Sequence, residues 1–162
     1  MIQEAHLQSA CCDLVVDVVR SAGSASLGVM GCSMLPAIRP GDVLMVERHH
    51  SDELQPGQVI LYSRNGKLTA HRIIQVSDEY LLTQGDSLPS RDLPVRWSEV
   101  VGRVTGICRN GRPVSLQRSP WQSVVAAILR RSELCIRLYL RLSSRVGLDV
   151  PGMVTAALKG DC

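Results

Sequence analysis

A serine hydroxyl becomes a useful nucleophile only when a neighbouring base removes its proton. The segment Gly31-Cys32-Ser33-Met34-Leu35-Pro36 offers one constrained serine. Gly31 permits unusual backbone angles and Pro36 stiffens the exit, so Ser33 can be held at an exposed corner rather than in a strand ladder. Of the four histidines, His71 is the best base. It lies within an apolar run, after Leu68 and before Ile73-Ile74, and a strand position fixes a side chain better than a loop does. His49 and His50 sit beside Ser51 and Asp52 in a turn and read as solvated, while His6 falls in a helical stretch with no constellation near it. The carboxylates worth weighing are Asp86 and Asp92, in Gly85-Asp86-Ser87-Leu88-Pro89-Ser90-Arg91-Asp92. Their spacing across Pro89 lets both converge on one site from a loop. Singly, each element has an ordinary structural alternative: a turn serine, a core histidine bonded to a carbonyl, an Asx-type turn. Together they supply a constrained serine, a base and a group to orient the base, the three parts that an activated nucleophile requires.

The elements that must position these groups fall into three regions. Residues 1–25 hold an N-terminal amphipathic helix, whose expected stripe is Leu7, Ala10, Cys11, Leu14, Val15, Val18 and Val19. Residues 26–118 are β-rich. Val43–Glu47 follows the turn Pro40-Gly41-Asp42, and Val59–Ser63 follows Pro56-Gly57. Asn65-Gly66 is a hairpin signal leading into Leu68–Val76. Tyr80–Thr83 and Val100–Cys108 supply further strands, and Asn110-Gly111 turns the chain into Val114–Leu116. Residues 119–162 return to a basic amphipathic helix and a tail, with Ser119 as cap, Pro120 at the first helical position, and Arg130, Arg131, Arg137, Arg141 and Arg145 on one face. The fold expected is mainly β with flanking helices: a small coiled antiparallel sheet or barrel with an amphipathic helix at each end.

Composition narrows the function classes. The 162 residues are 45% hydrophobic and 20% charged, which is globular rather than disordered. Phe is absent, so aliphatic side chains must build the core. A net charge of +3 is too small to argue for nucleic acid. No pair among the six cysteines has the C-x-x-C spacing, so neither a metal nor a redox site is indicated; reduced or buried thiols are expected, with bridges left open by the even count. No cofactor is expected. Neither a signal peptide nor the ~20 apolar residues of a membrane-spanning helix is visible, which suggests a cytoplasmic or membrane-peripheral protein.

Five elements then occur in order: the Ser33 segment, Pro40-Gly41-Asp42, His71-Arg72-Ile73, Gly85-Asp86 with Asp92, and Val100-Val101-Gly102-Arg103-Val104. Over about residues 28–108 this series resembles the S24/S26 serine peptidases, most closely type I signal peptidases of the archaeal and endoplasmic-reticulum kind. The resemblance implies the coiled antiparallel sheet of that superfamily. It implies Ser33 as nucleophile, His71 as base where bacterial signal peptidases and SOS-response repressors place a Lys, and Asp92 as the residue orienting His71. Asp86, Gly31 and Met34 would support the site. Lys67 does not match the bacterial lysine position, although residues four apart share a strand face and leave a Ser33–Lys67 pairing as an alternative. The implied substrate is a signal or leader peptide with small residues before the cut, held in shallow pockets lined by Val43–Glu47 and the segment near Met34. Activity would rise through neutral pH, because a free histidine titrates near ~6.5. Signal peptidases of this kind carry a membrane helix ahead of the serine, and here an amphipathic helix stands in that place. A peripheral membrane contact or a membrane-anchored partner is one way to supply the difference. A self-cleaving or non-catalytic S24-like regulatory or binding module is the alternative.

Overall fold

Aliphatic runs broken by turns that require positive φ dictate hairpins, and the structure is built from them. The computed structural model describes residues 2–49, 53–116 and 120–131, together with Cys135 and Tyr139. Helix α1 (Ile2–Ala22) leads into strands β1 (Ser24–Gly28), β2 (Val43–Glu47), β3 (Val59–Arg64), β4 (Lys67–Val76), β5 (Tyr80–Gln84), β6 (Val95–Arg96), β7 (Val100–Arg109) and β8 (Arg112–Val114), and helix α2 spans Pro120–Leu129. Asn65 (φ 52°) and Gly66 (φ 69°) close the β3–β4 hairpin, and Asn110 (φ 50°) and Gly111 (φ 75°) close β7–β8. Paired positive angles of this kind match the right-handed twist of the flanking strands.

The strands form one antiparallel sheet in the order β1-β2-β7-β3-β4-β5-β6, with β8 on β7. The sheet does not close. Of the two architectures expected, the open coiled sheet is therefore the one present, and β1 and β6 are its ends. Neither of these strands was anticipated, and the last strand falls at Arg112–Val114 rather than Val114–Leu116.

Strand alternation divides the core. Val59 and Leu61 of β3, with Leu68 and Ala70 of β4, face a cluster that includes Val15, Val19, Leu44 and Ile107. Ile60 and Tyr62 point the other way, onto Ile73, Leu81 and Val95. In α1 the stripe differs from expectation. Cys12, Val15 and Val19 are buried, whereas Cys11 is exposed and Leu14 and Val18 are 62% and 38% exposed. Spacing i, i+3, i+7 meets a sheet along a narrow line, so the flanking apolar positions stay outside it. At the other end, α2 packs Leu129 against Cys32 and Leu35. Helix α2 ends at Leu129, with Arg130 and Arg131 of the expected helix in a turn; beyond them only Cys135 and Tyr139 are described, and the expected Ser119 cap lies outside the described residues. Among those described, no helix is long and apolar enough to cross a membrane.

One ion pair ties the sheet to its far loop. The Arg64 guanidinium donates to both Glu99 carboxylate oxygens at 2.7 Å, linking the end of β3 to the 3-10 turn Trp97–Glu99 before β7. Arg64 first, helped by the Arg96 backbone N–H, pulls the Glu99 pKa down from 4.5 to about 2 against the opposing effect of burial. A depressed carboxylate stabilises the fold above its unfolded pKa, and that contribution fades as pH falls through the folded value. Glu99→Gln is therefore expected to lower the melting temperature at pH 7 by an amount equivalent to about 1 kcal/mol or less. Its melting temperature should then fall less than wild type's between pH 4.5 and pH 2. Parallel pH–melting curves for the two proteins check this.

Candidate active site

The Ser33 turn is shaped by what its neighbours bury. β1 runs on into Val29, whose N–H donates to the Asp42 carbonyl at 2.8 Å while its own carbonyl accepts from Gly41 N–H at 2.8 Å. Residues 33–37 then turn, with Leu35 N–H to the Cys32 carbonyl at 3.1 Å and Ile38 N–H to the Met34 carbonyl at 3.0 Å. Met34, Leu35 and Ile38 are buried, which leaves Ser33 half-buried at the corner. The base of the turn is fixed by Asp42. Its buried carboxylate accepts from the Arg39 N–H at 2.8 Å and from Arg109 through two bonds of 2.7 Å. Pro40-Gly41-Asp42 thus serves to anchor the Ser33 turn, with Gly41 at φ 89°.

His71 sits on β4 opposite Ile60 and is 4% exposed. β5 pairs only with the later part of β4, from Arg72 to Val76. The edge of β4 from Lys67 to His71 is therefore uncovered by a strand, and the Ser33 turn approaches there. His71 Nε2 lies 2.9 Å from Ser33 Oγ, and Nδ1 lies 2.6 Å from Asp92 Oδ2. An ionised Asp92 can only accept, so the proton belongs on Nδ1, which leaves the Nε2 lone pair facing the Ser33 hydroxyl. Lys67 is exposed at the hairpin end, opposite Arg64, and the imidazole is the group that reaches Ser33.

The two acidic candidates separate cleanly. Asp92 meets His71. Asp86 is buried and meets Arg72 instead, whose Nε and Nη2 donate to its two oxygens at 3.0 and 2.8 Å. Arg72 also donates to the Gly57 carbonyl at 2.7 Å. The loop that carries both carboxylates grips the nucleophile turn directly. Ser87 N–H donates to the Ser33 carbonyl at 2.9 Å, and Ser87 Oγ donates to the Cys32 carbonyl at 2.9 Å. Gly85 is required here, because a Cβ would stand 2.7 Å from the Ser33 carbonyl oxygen. Just past α2, Arg130 Nε donates to the Asp86 carbonyl at 2.9 Å.

Three residues of this assembly carried no signal in the sequence: Ser87, Thr83 and Tyr62. Thr83 Oγ1 donates to Asp92 Oδ2 at 2.6 Å. The Tyr62 ring meets the His71 ring edge-on, with centroids 6.3 Å apart. Burial, reinforced by the Asp92 charge, pushes the Tyr62 phenol up to about 12, so it stays neutral beside the imidazole. The hydroxyl, imidazole and carboxylate open onto a cavity of about 260 Å³ lined by Met34 and Leu44, together with Val29, Ile38, Leu68 and Ala70. A larger open groove of about 870 Å³, by Val59, Arg103, Thr105 and Leu116, is lined by no serine, cysteine or histidine. Gly31 lines the smaller cavity. Among the described residues no cluster of three or more His, Cys, Asp or Glu could hold a metal. Cys11, Cys12, Cys108 and Cys135 are free thiols, whereas Cys32 is disulfide-bonded, a state that the even cysteine count left open.

Compared with known proteins, the chain matches a family model described as Peptidase S24-like over residues 3–105. No curated protein matches it.

The buried Arg72–Asp86 pair generates a stability prediction. Removing one partner leaves the other charge buried and unmatched, at a cost of about 3–5 kcal/mol. Asp86→Asn is thus expected to shift the denaturant midpoint strongly downward, whereas Ser33→Ala, which removes a half-buried hydroxyl, leaves it nearly unchanged. Urea titrations of the two variants beside wild type check the contrast.

Proposed function

The chain belongs to the Peptidase S24-like family, and from that premise we propose that it is a serine endopeptidase in which Ser33 attacks, His71 moves the proton and Asp92 orients His71. The observation that carries this proposal is the continuous contact from hydroxyl to imidazole to carboxylate, at 2.9 and 2.6 Å. Both distances are within reach for direct proton transfer.

In the proposed reaction Nε2 of His71 takes the hydroxyl proton as Ser33 Oγ bonds to the scissile carbonyl carbon. The carbonyl π electrons move to oxygen, and backbone N–H groups including that of Ser33 hold the oxyanion. The imidazolium gives its proton to the leaving amine as the C–N bond breaks. Water, deprotonated by His71, then attacks the acyl-Ser33 ester, and the proton returns to Oγ as the acid departs. Asp92 accepts the Nδ1 proton's hydrogen bond throughout and balances the imidazolium charge without taking the proton.

The substrate proposed is an extended signal or leader segment with small residues before the cut. The cavity's modest volume and aliphatic walls support this: Val29, Ile38, Leu44, Leu68 and Ala70 offer apolar contact and no charge to a side chain entering beside Ser33. A membrane-anchored partner or a peripheral membrane contact would bring such substrates to it.

Active-site labelling with a fluorophosphonate, followed by cleavage of a peptide library, tests the proposal. Wild type should be labelled on Ser33 and cleave peptides after small residues. Ser33→Ala and His71→Ala should each lose about 10⁴-fold or more in rate. A wild type that never labels would identify a non-catalytic binding module. A mass loss on storage that is absent in Ser33→Ala would identify a chain that cuts itself.

A further inference from the structure

Thr83 lies on β5, fully buried, nine residues before Asp92. It holds that aspartate twice. Its hydroxyl donates to Asp92 Oδ2 at 2.6 Å, and its backbone carbonyl accepts from the Asp92 N–H at 2.9 Å. Oδ2 is the same oxygen that faces His71 Nδ1 at 2.6 Å.

Asp92 itself belongs to a loop, outside any strand and half-buried. A carboxylate on a loop has two soft torsions and two equivalent oxygens. Either could swing away from the imidazole toward solvent. The backbone bond fixes where the Asp92 Cα sits, and the hydroxyl bond fixes which oxygen points inward. Thr83 is anchored in the sheet, since its neighbours pair with Arg72 and Gln75 of β4, the strand that bears His71. The positions of base and carboxylate are thereby referred to one rigid ladder.

We propose that Thr83 is a positioning residue, which selects and holds the Asp92 oxygen that orients His71. This rests on the proposed peptidase reading for its kinetic consequence but not for its structural one. Two effects follow from a hydroxyl donated to a carboxylate that also accepts from an imidazole. The carboxylate loses a rotational degree of freedom, and the imidazole stays in the tautomer whose free nitrogen faces Ser33. Removal of the hydroxyl leaves the chemistry's atoms in place but lets the Asp92 side chain rotate, so the loss appears in the rate of the chemical step rather than in substrate binding.

The deciding comparison is Thr83→Ser against Thr83→Ala in the full chain. Both delete the methyl, and only the second deletes the hydroxyl. Thr83→Val, which keeps the shape without the donor, stands in if Thr83→Ala fails to fold. Fluorophosphonate labelling of Ser33 is expected to slow between about 10- and 100-fold in Thr83→Ala, as for a small misplacement of a reacting group. Thr83→Ser should label at close to the wild-type rate. In an Asp92→Asn background the Thr83→Ala change should cost almost nothing more, because residues acting through one another are not additive. The low-field Nδ1 proton resonance of His71 gives a readout that needs no activity. It should persist in wild type and Thr83→Ser and broaden or vanish in Thr83→Ala. Failure of wild type to label at all would overturn the peptidase reading, and the resonance would still decide the role of Thr83. Equal resonances and equal labelling in the Ser and Ala variants, or full additivity with Asp92→Asn, would overturn the inference.

Discussion

The ion pair between Arg72 and Asp86 is the constraint on which the site's geometry depends. Their side chains are only 7% and 2% exposed. Charges so far from water are tolerated only with a well-placed partner and with their remaining hydrogen-bonding capacity met. The pairing is bidentate, and Arg72 completes itself on the Gly57 carbonyl. Arg72 directly follows His71 in β4, so any loop pinned to Arg72 is pinned one residue from the base. That loop begins with Gly85-Asp86-Ser87 and ends with Asp92. One buried ion pair thereby fixes the origin of a segment that clamps the Ser33 turn through Ser87 and returns Asp92 to the imidazole.

The division of labour between strands and loops follows from this. His71 gains its precision from a ladder, in which both neighbouring peptides are hydrogen-bonded to β3. Ser33 lies in a turn rather than a ladder, and its side chain lines the cavity. Its turn is instead held from two sides: by Asp42 with Arg109 at its base, and by Ser87 at its crown. The apolar residues Met34, Leu35 and Ile38 complete the hold by burying themselves on either side of the core. A half-exposed hydroxyl can be rigid only if everything adjacent to it is buried or bonded, and that condition is met here.

The parts of this arrangement legible in the sequence are those where residue type and spacing act together. Asn-Gly pairs and Pro-Gly turns revealed the hairpins, since few residues adopt positive φ. Ser33, His71 and the Gly85–Asp92 segment are legible because each sets a chemically competent side chain in a local context, a Gly–Pro turn, an apolar run or a Gly/Pro loop; Gly31 itself is not among the glycines at positive φ. β1 was missed because Ser24–Gly28 is short and rich in small residues, and its pairing with Val43–Glu47 is a tertiary fact. β6, at two residues, is below what any pattern can reveal. The helical stripe of α1 was drawn too wide, because the sequence shows which side chains are apolar but not how narrow a line the sheet offers. Ser87, Thr83 and Tyr62 were invisible for a further reason. Their contribution is a hydrogen bond or a ring contact made across the fold, and serine, threonine and tyrosine in a strand or turn have ordinary uses everywhere.

The two carboxylates, six residues apart on one loop, show how environment assigns different roles to the same chemical group. The charge of Asp86 is matched by the guanidinium of Arg72, so it contributes little net field at the imidazole. Asp92 has no such cation bonded to it among the described residues; its partners are a hydroxyl and the imidazole itself. The phenol of Tyr62, held neutral by burial, adds no second negative charge beside it. A positive charge developing on His71 would therefore find one carboxylate free to respond to it. Were the assignments exchanged, with the guanidinium on the carboxylate that faces the histidine, the ring would share that carboxylate with a cation. The sequence order His71-Arg72 prevents that exchange, because adjacent residues on a strand point to opposite faces and so cannot both address the same carboxylate.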